Sequence, residues 1–177
     1  MTVNKRTVLG MAIVVVGLLL SNKTSHASYN YYPPKPQPLP PVPKTPTKIK
    51  VSIFDAIKNA SDKYGVPLNI SLGVAKVESN FSPTAVSRKG AGGLFQLMPG
   101  TASGYGVTDV FDPIQNANAG NKFLAAMYVK YGNWNDALAA YNWGPGNFDK
   151  YRLGLKEIPS SVAVYIGKVL DASDQYV

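Results

Sequence analysis

The chain has 177 residues, enough for one compact domain and some extra chain at its ends. It has no cysteine, and its single histidine, His26, lies in a segment that reads as a discarded leader; disulfides, thiolate ligands, a Cys nucleophile, Ser-His-Asp chemistry and His-based zinc sites are therefore excluded. The formal charge of +8 falls to about +5 without Lys5, Arg6 and Lys23, and the scattered basic residues argue against nucleic acid while suiting an anionic wall polymer or membrane surface.

Lys5-Arg6 precede an apolar run from Val8 to Leu20, then a polar stretch ending Ser25-His26-Ala27. Thirteen apolar residues are short for a bilayer; a charged start, a short apolar core and a small-x-Ala end describe a cleavable secretion signal over residues 1–27. An uncleaved inner-membrane anchor is the competing reading. Either one sends the rest of the chain to the periplasm, the cell envelope or the exterior. Residues 28–50 hold eight prolines between Pro33 and Pro46, which predicts a stiff, solvated spacer. The same spacing, with tyrosines beside it, also fits a docking motif for a proline-recognising partner.

The folded domain is expected over residues 51–177. Ser52 and Asp55 can cap a helix whose Ile53, Ile57, Ala60 and Tyr64 share a face, and Gly65-Val66-Pro67 stops it. A second helix is predicted over Asn69 to Glu78, apolar on most sides, so the glutamate at its end stands out: only Glu78 and Glu157 occur in the chain. Asn80 to Gly92 read as loop, and Gly93 to Met98 as a short extended piece or turn. Asp112-Pro113 starts a long helix that runs to Gly132. A further helix covers Trp134 to Tyr141, capped by Asn133 or Asn135 and ended by Gly144-Pro145-Gly146. The last begins near Ser160 and turns Val162, Tyr165, Ile166, Val169 and Leu170 inward. The fold class is mainly α with long, Gly-rich loops and little or no β structure.

Three stretches carry more polar detail than packing requires: Glu78-Ser79, Gly93-Leu94-Phe95-Gln96 and Ala140-Tyr141-Asn142-Trp143-Gly144-Pro145-Gly146. Taken singly, each has an ordinary explanation as a helix end, a satisfied loop amide or core aromatics. As a set they suit a sugar polymer. A carboxyl enclosed by apolar groups keeps its proton long enough to donate it to a glycosidic oxygen, amides bind hydroxyl and N-acetyl groups, and rings pack on pyranose faces. Most glycoside hydrolases use two carboxylates. Here Glu157 sits in a loop, Asp109 and Asp112 suit a turn and a cap, and Asp136 lies in the first turn of a helix.

The constellation resembles the soluble lytic transglycosylase family, relatives of goose-type lysozyme, over roughly residues 55 to 172. The resemblance rests on Glu78-Ser79, Gly93-Leu94-Phe95-Gln96-Leu97-Met98-Pro99 with Thr101-Ala102, Ala140-Tyr141-Asn142-Trp143-Gly144-Pro145, and the late Tyr165. Ala85-Val86-Ser87, and Phe111-Asp112-Pro113 with Asn116 and Gly120, also fit. It implies a lysozyme-like helical domain acting on peptidoglycan glycan strands without cofactor or metal. Glu78 would protonate the bond between N-acetylmuramic acid and N-acetylglucosamine, then accept the proton of the muramic C6 hydroxyl as it closes a 1,6-anhydro ring. Ser87, Gln96 and Asn142 would orient the sugar, Tyr141 and Tyr165 would position Glu78 and the glycan, and Phe95 and Met98 would form groove wall. Trp143 stands where the family commonly has a small residue, and Phe95 where it often has Met. A hydrolytic muramidase and a non-catalytic wall-binding module are the alternatives. A secretion, conjugation or phage apparatus is the expected larger partner.

Overall fold

A computed structural model describes residues 52–177. The expected secretion signal (1–27) and proline-rich spacer (28–50) lie outside the described residues. Seven α-helices follow in order: α1 Ile53–Tyr64, α2 Leu68–Ser79, α3 Pro99–Gly104, α4 Pro113–Tyr131, α5 Trp134–Trp143, α6 Pro145–Arg152 and α7 Ser160–Ser173, with a final 3-10 turn at Asp174–Tyr176. Within these residues there is no sheet, only isolated bridges from Gly92 to Val86 and Leu97. No helix among them is long and apolar enough to cross a membrane.

Local chemistry explains most boundaries. The Ser52 hydroxyl accepts from the Asp55 N–H, and Gly65 closes α1 in the left-handed region at φ 68°. Asp112 accepts from the Ile114 and Gln115 amides, Pro113 takes the first position of α4, and Gly132 ends it at φ 81°. Asn133, rather than Asn135, caps α5 through the Asp136 N–H. Two short helices depart from the sequence reading. Pro99 starts α3, and Pro145, expected within a terminating turn, is instead the first residue of α6; proline lacks only an N–H that a first helical turn leaves unpaired.

Helix α2 lies against α7, α1 against α4, and α5 between α4 and α7. Ile57, Val74, Leu94, Phe95, Leu124, Leu138 and Val169 fill the main core, while Met127, Tyr131, Ala137, Phe148 and Val162 make a second cluster where α6 joins the bundle. Missing side chains let elements approach. A Cβ at Gly73 of α2 would run into Ser173 Oγ and lie 2.7 Å from the Val169 carbonyl of α7. One at Gly120 of α4 would run into the Phe95 ring. Gly120→Ala should therefore lower stability by about 1–3 kcal/mol, the usual cost of overpacking, measured by urea denaturation.

Candidate active site

Glu78 occupies the last turn of α2 and Tyr165 the second turn of α7. The antiparallel approach at Gly73 brings them together: the Tyr165 hydroxyl donates to Glu78 Oε1 at 2.8 Å. Burial pushes the Glu78 carboxyl up from an ordinary 4.5 to about 7, against the opposing pull of that hydrogen bond. Tyr165 is itself pushed well up, first by burial and then by the neighbouring Glu78 and Tyr141. With Oε1 accepting from the tyrosine, the proton of the neutral acid resides on Oε2.

The remaining carboxylates have other places. Asp55 bonds Ser52, Asp62 pairs with Lys58, Asp109 accepts from the Phe111 N–H, and Asp112 caps α4. Asp149 pairs with Lys130 at 2.6 Å and Asp136 lies 3.9 Å from Arg152. Asp171, Asp174 and Glu157 are exposed. Among the described residues, neither a hydrogen bond nor a charge from a second carboxylate bears on Glu78. No group of acids among the described residues is arranged to hold a metal ion.

Beyond Glu78, the chain is held by its own backbone. Asn80 and Phe81 take left-handed conformations at φ 52° and 62°, and Ser79 Oγ donates to the Leu94 carbonyl at 2.9 Å, tying the helix end to the glycine-rich loop. Asn116, fully buried on α4, fixes that loop. Its Oδ1 accepts from the Phe95 N–H at 2.8 Å, and its Nδ2 donates to Gly92 and Val110 carbonyls. The Phe95 carbonyl then accepts from the Tyr141 hydroxyl at 2.7 Å. Tyr141, whose hydroxyl is pushed well up by burial and by Glu78, is thereby anchored beside the acid.

A cleft of about 230 Å³ adjoins this centre, lined by Gln96, Met98, Thr101, Phe123 and the stretch Tyr141–Pro145. It gathers Gln96, Met98, Tyr141, Asn142 and Trp143 of the sequence-derived set. Gln96 adopts φ 46°, and its Nε2 donates to Ala85 and Gly93 carbonyls, which aims the amide rather than leaving it loose. Two expectations change. The Phe95 side chain is not groove wall: it is 0% exposed, in the core against Gly120. Ser87 is not among the cleft-lining residues; its hydroxyl accepts from the Ala91 N–H at 2.9 Å within its own loop. Conversely, Thr101 enters the sequence reading only as part of the family-like segment and without a role in the site, and Phe123 does not enter it, since a phenylalanine in a long helix looks like ordinary packing. The Phe123 ring lies 5.0 Å from that of Tyr141, extending the aromatic floor.

The family profile described as "Transglycosylase SLT domain" matches residues 55–157, more than half of the chain. The chain belongs to this transglycosylase SLT domain family. Similar proteins include a "Transglycosylase" of Enterobacteria phage PRD1, 41% identical over 91 residues, spanning 51% of this chain and 34% of that protein. The "Soluble lytic murein transglycosylase" of Escherichia coli (strain K12) is 35% identical over 103 residues, 52% of this chain and 16% of its relative. The match thus spans about a third of the first relative's length and less of the second's. The crystal structure of the 70 kDa soluble lytic transglycosylase of Escherichia coli superposes with a TM-score of 0.61 at 30% identity, covering 69% of this chain and 23% of that one. A complex of the 70 kDa soluble lytic transglycosylase with bulgecin A gives 0.63 at 26% identity, covering 72% and 24%. The SLT-domain helical fold expected from the sequence is what this chain adopts.

The Glu78–Tyr165 pair yields two signed predictions. Tyr165→Phe keeps the ring and removes a bond that favours the carboxylate, so the Glu78 midpoint should rise above about 7 in an NMR titration. Folding also holds the Glu78 proton more tightly than the unfolded chain does, so stability falls as pH rises from 4.5 to about 7 and stays lowered above it. Glu78→Gln should be close to wild type at pH 4. At pH 8 it should be more stable by at most about 3 kcal/mol, read by denaturant titration at both pH values.

Proposed function

We propose that this protein is a peptidoglycan lytic transglycosylase that cleaves the β-1,4 bond between N-acetylmuramic acid and N-acetylglucosamine and leaves 1,6-anhydromuramic ends. The observation that carries this reading is a solitary carboxyl, held protonated up to about pH 7 by burial and bonded to Tyr165, with no second carboxylate bearing on it. Most glycoside hydrolases use a second carboxylate, to hold water or to form a covalent intermediate on the opposite face of the sugar. A reaction whose nucleophile belongs to the substrate needs only one group, acting first as acid and then as base.

The steps follow from that economy. Glu78 Oε2 gives its proton to the glycosidic oxygen as the bond to the muramic C1 breaks, and the substrate's own N-acetyl carbonyl oxygen bonds to C1. The carboxylate left behind keeps its hydrogen bond from Tyr165 and takes the proton of the muramic C6 hydroxyl. The freed O6 attacks C1, the N-acetyl oxygen leaves, and the acid is regenerated. Gln96, Asn142 and Tyr141 orient the muramic sugar, Tyr165 positions the acid, and Met98 and Trp143 form apolar walls. Ser87 and Phe95, which the sequence reading placed against substrate, act through loop conformation: the one closes the turn at Ala91, the other seats the loop on Gly120.

We extend the reading to place. Residues 1–27 are a secretion signal and 28–50 a spacer, and the catalytic domain works outside the cytoplasm in the periplasm or cell envelope. There it opens the wall locally for a secretion, conjugation or phage apparatus.

Mass spectrometry of digested peptidoglycan tests the chemistry. Anhydromuramyl ends are expected; reducing ends carrying an added water would identify a hydrolytic muramidase instead. Glu78→Gln should lower turnover about 10³-fold or more, at the upper part of the range for a general acid, while still co-sedimenting with wall. The kcat/KM of the wild type should fall as pH rises above about 7, where Glu78 loses its proton.

A further inference from the structure

Trp143 has a companion that the transglycosylase reading leaves unused. The Lys156 ammonium, on the turn between α6 and α7, sits 4.9 Å from the centroid of the Trp143 ring. It donates to Asn147 Oδ1 at 2.8 Å, and Asn147 Nδ2 donates in turn to the Trp143 carbonyl at 2.8 Å. Three residues therefore close a ring of contacts, and one of them, Trp143, lines the cleft. Two cations on neighbouring α4 and α6 differ from Lys156. Lys130 pairs with Asp149 and Arg152 lies by Asp136, whereas Lys156 has no carboxylate within ion-pairing distance among the described residues.

That arrangement has a chemical bias. An ammonium has three N–H donors; here one is held by Asn147 and the indole face attracts the charge without consuming the others. The hydroxyls and N-acetyl groups of the two sugars are neutral, so a fixed cation at the edge of a glycan cleft gains little from them. Carboxylates occur on the substituent of the muramoyl residue. They are either the free carboxylates of its stem peptide or, on a peptide-free strand, the lactyl carboxylate itself.

We propose that Lys156, held by Asn147 and Trp143, forms a subsite at the Trp143 edge of the cleft that takes a carboxylate carried by the muramoyl substituent. The proposal rests on the peptidoglycan reading given above. Trp143 sets the height of the wall and Lys156 gives it a charge, so the pair selects which strands are cut rather than how the bond breaks. An exposed pair of this kind acts on affinity by a few-fold and is screened by salt.

The test uses three versions of one glycan: strands bearing stem peptides, strands stripped of them so that the lactyl carboxylate is free, and peptide-bearing strands whose carboxylates are converted to neutral amides. Lys156→Gln should lower kcat/KM on the carboxylate-bearing strands about threefold relative to its effect on the amidated strands, and Lys156→Glu about tenfold. The difference should lie in KM rather than kcat and shrink as salt is raised, and Lys156→Arg should restore most of it. A penalty confined to peptide-bearing strands identifies the stem carboxylates as the source, and one on stripped strands the lactyl carboxylate. Equal penalties on all three, or none, overturn the proposal. Co-sedimentation of the Glu78→Gln protein, with and without Lys156→Glu, measures the same preference without turnover. If the wild type releases no anhydromuramyl ends, the reaction assignment fails, while the carboxylate preference is still decided by binding.

Discussion

The close approach of α2 and α7 is the constraint on which the rest of the molecule depends. Gly73 presents no side chain where α7 passes, and a methyl group there would meet Ser173 and the Val169 carbonyl. The two helices run in opposite directions, so moving from Gly73 toward the end of α2 corresponds to moving from Val169 back to Tyr165 on α7. One further turn along each helix puts Glu78 opposite Tyr165. Burial of an acid and delivery of its hydrogen-bond donor are thus two consequences of one packing contact. The perturbed ionisation of Glu78 needs no charged neighbour, because removing water from a carboxyl already disfavours the anion.

The glycine-rich loop is governed by a second buried polar contact. Asn116 satisfies the Phe95 amide and two loop carbonyls from inside the core, so the backbone stays in place where no sheet could hold it. Phe95 faces inward onto Gly120, and its carbonyl turns outward to hold the Tyr141 hydroxyl. Gln96, the next residue, faces the cleft from a left-handed backbone. Among the described residues, the three non-glycine positions with positive φ are Asn80, Phe81 and Gln96, two just past the acid and one on the cleft. Conformations unfavourable for a side chain thus cluster where the surrounding contacts over-determine them.

Much of this was legible in the residues alone. Ser52, Gly65, Asp112-Pro113, Gly132 and Asn133 announce their helix ends through chemistry that acts within a few positions, and the five longer helices follow. Glu78 was conspicuous because it is rare and ends an apolar segment, and Tyr165 because it lies on the inward face of α7. The failures are equally physical. Pro145 after Gly144 reads as a terminator, yet the same proline suits the start of α6, and only tertiary packing of Phe148 decides between them. Phe95 and Gln96 are adjacent and both follow a glycine turn; which one enters the core is set by Gly120 on α4, far along the chain, and no local signal carries that information. Ser87 looks like a ligand in sequence because its bond to the Ala91 amide is invisible there.

A buried acid is a liability for the fold and an asset for proton transfer, and the placement of Glu78 reconciles the two. Ending α2 rather than lying mid-helix, its side chain is largely buried, bonds Tyr165 and lies near enough to Tyr141 for its charge to raise that hydroxyl's pKa. The tyrosine bond tempers the effect of burial. Without it the acid would hold its proton more firmly and, in the proposed reaction, be a poorer base in the second step; with more donors it would ionise at ordinary pH and lose its proposed use as an acid. One donor and partial burial leave it near pH 7, where gain and loss of a proton are both inexpensive. A second carboxylate beside it would raise the midpoint again through like-charge repulsion. The solitude of Glu78 is therefore part of how its acidity is set, and it is the feature on which the proposed use of a substrate nucleophile rests.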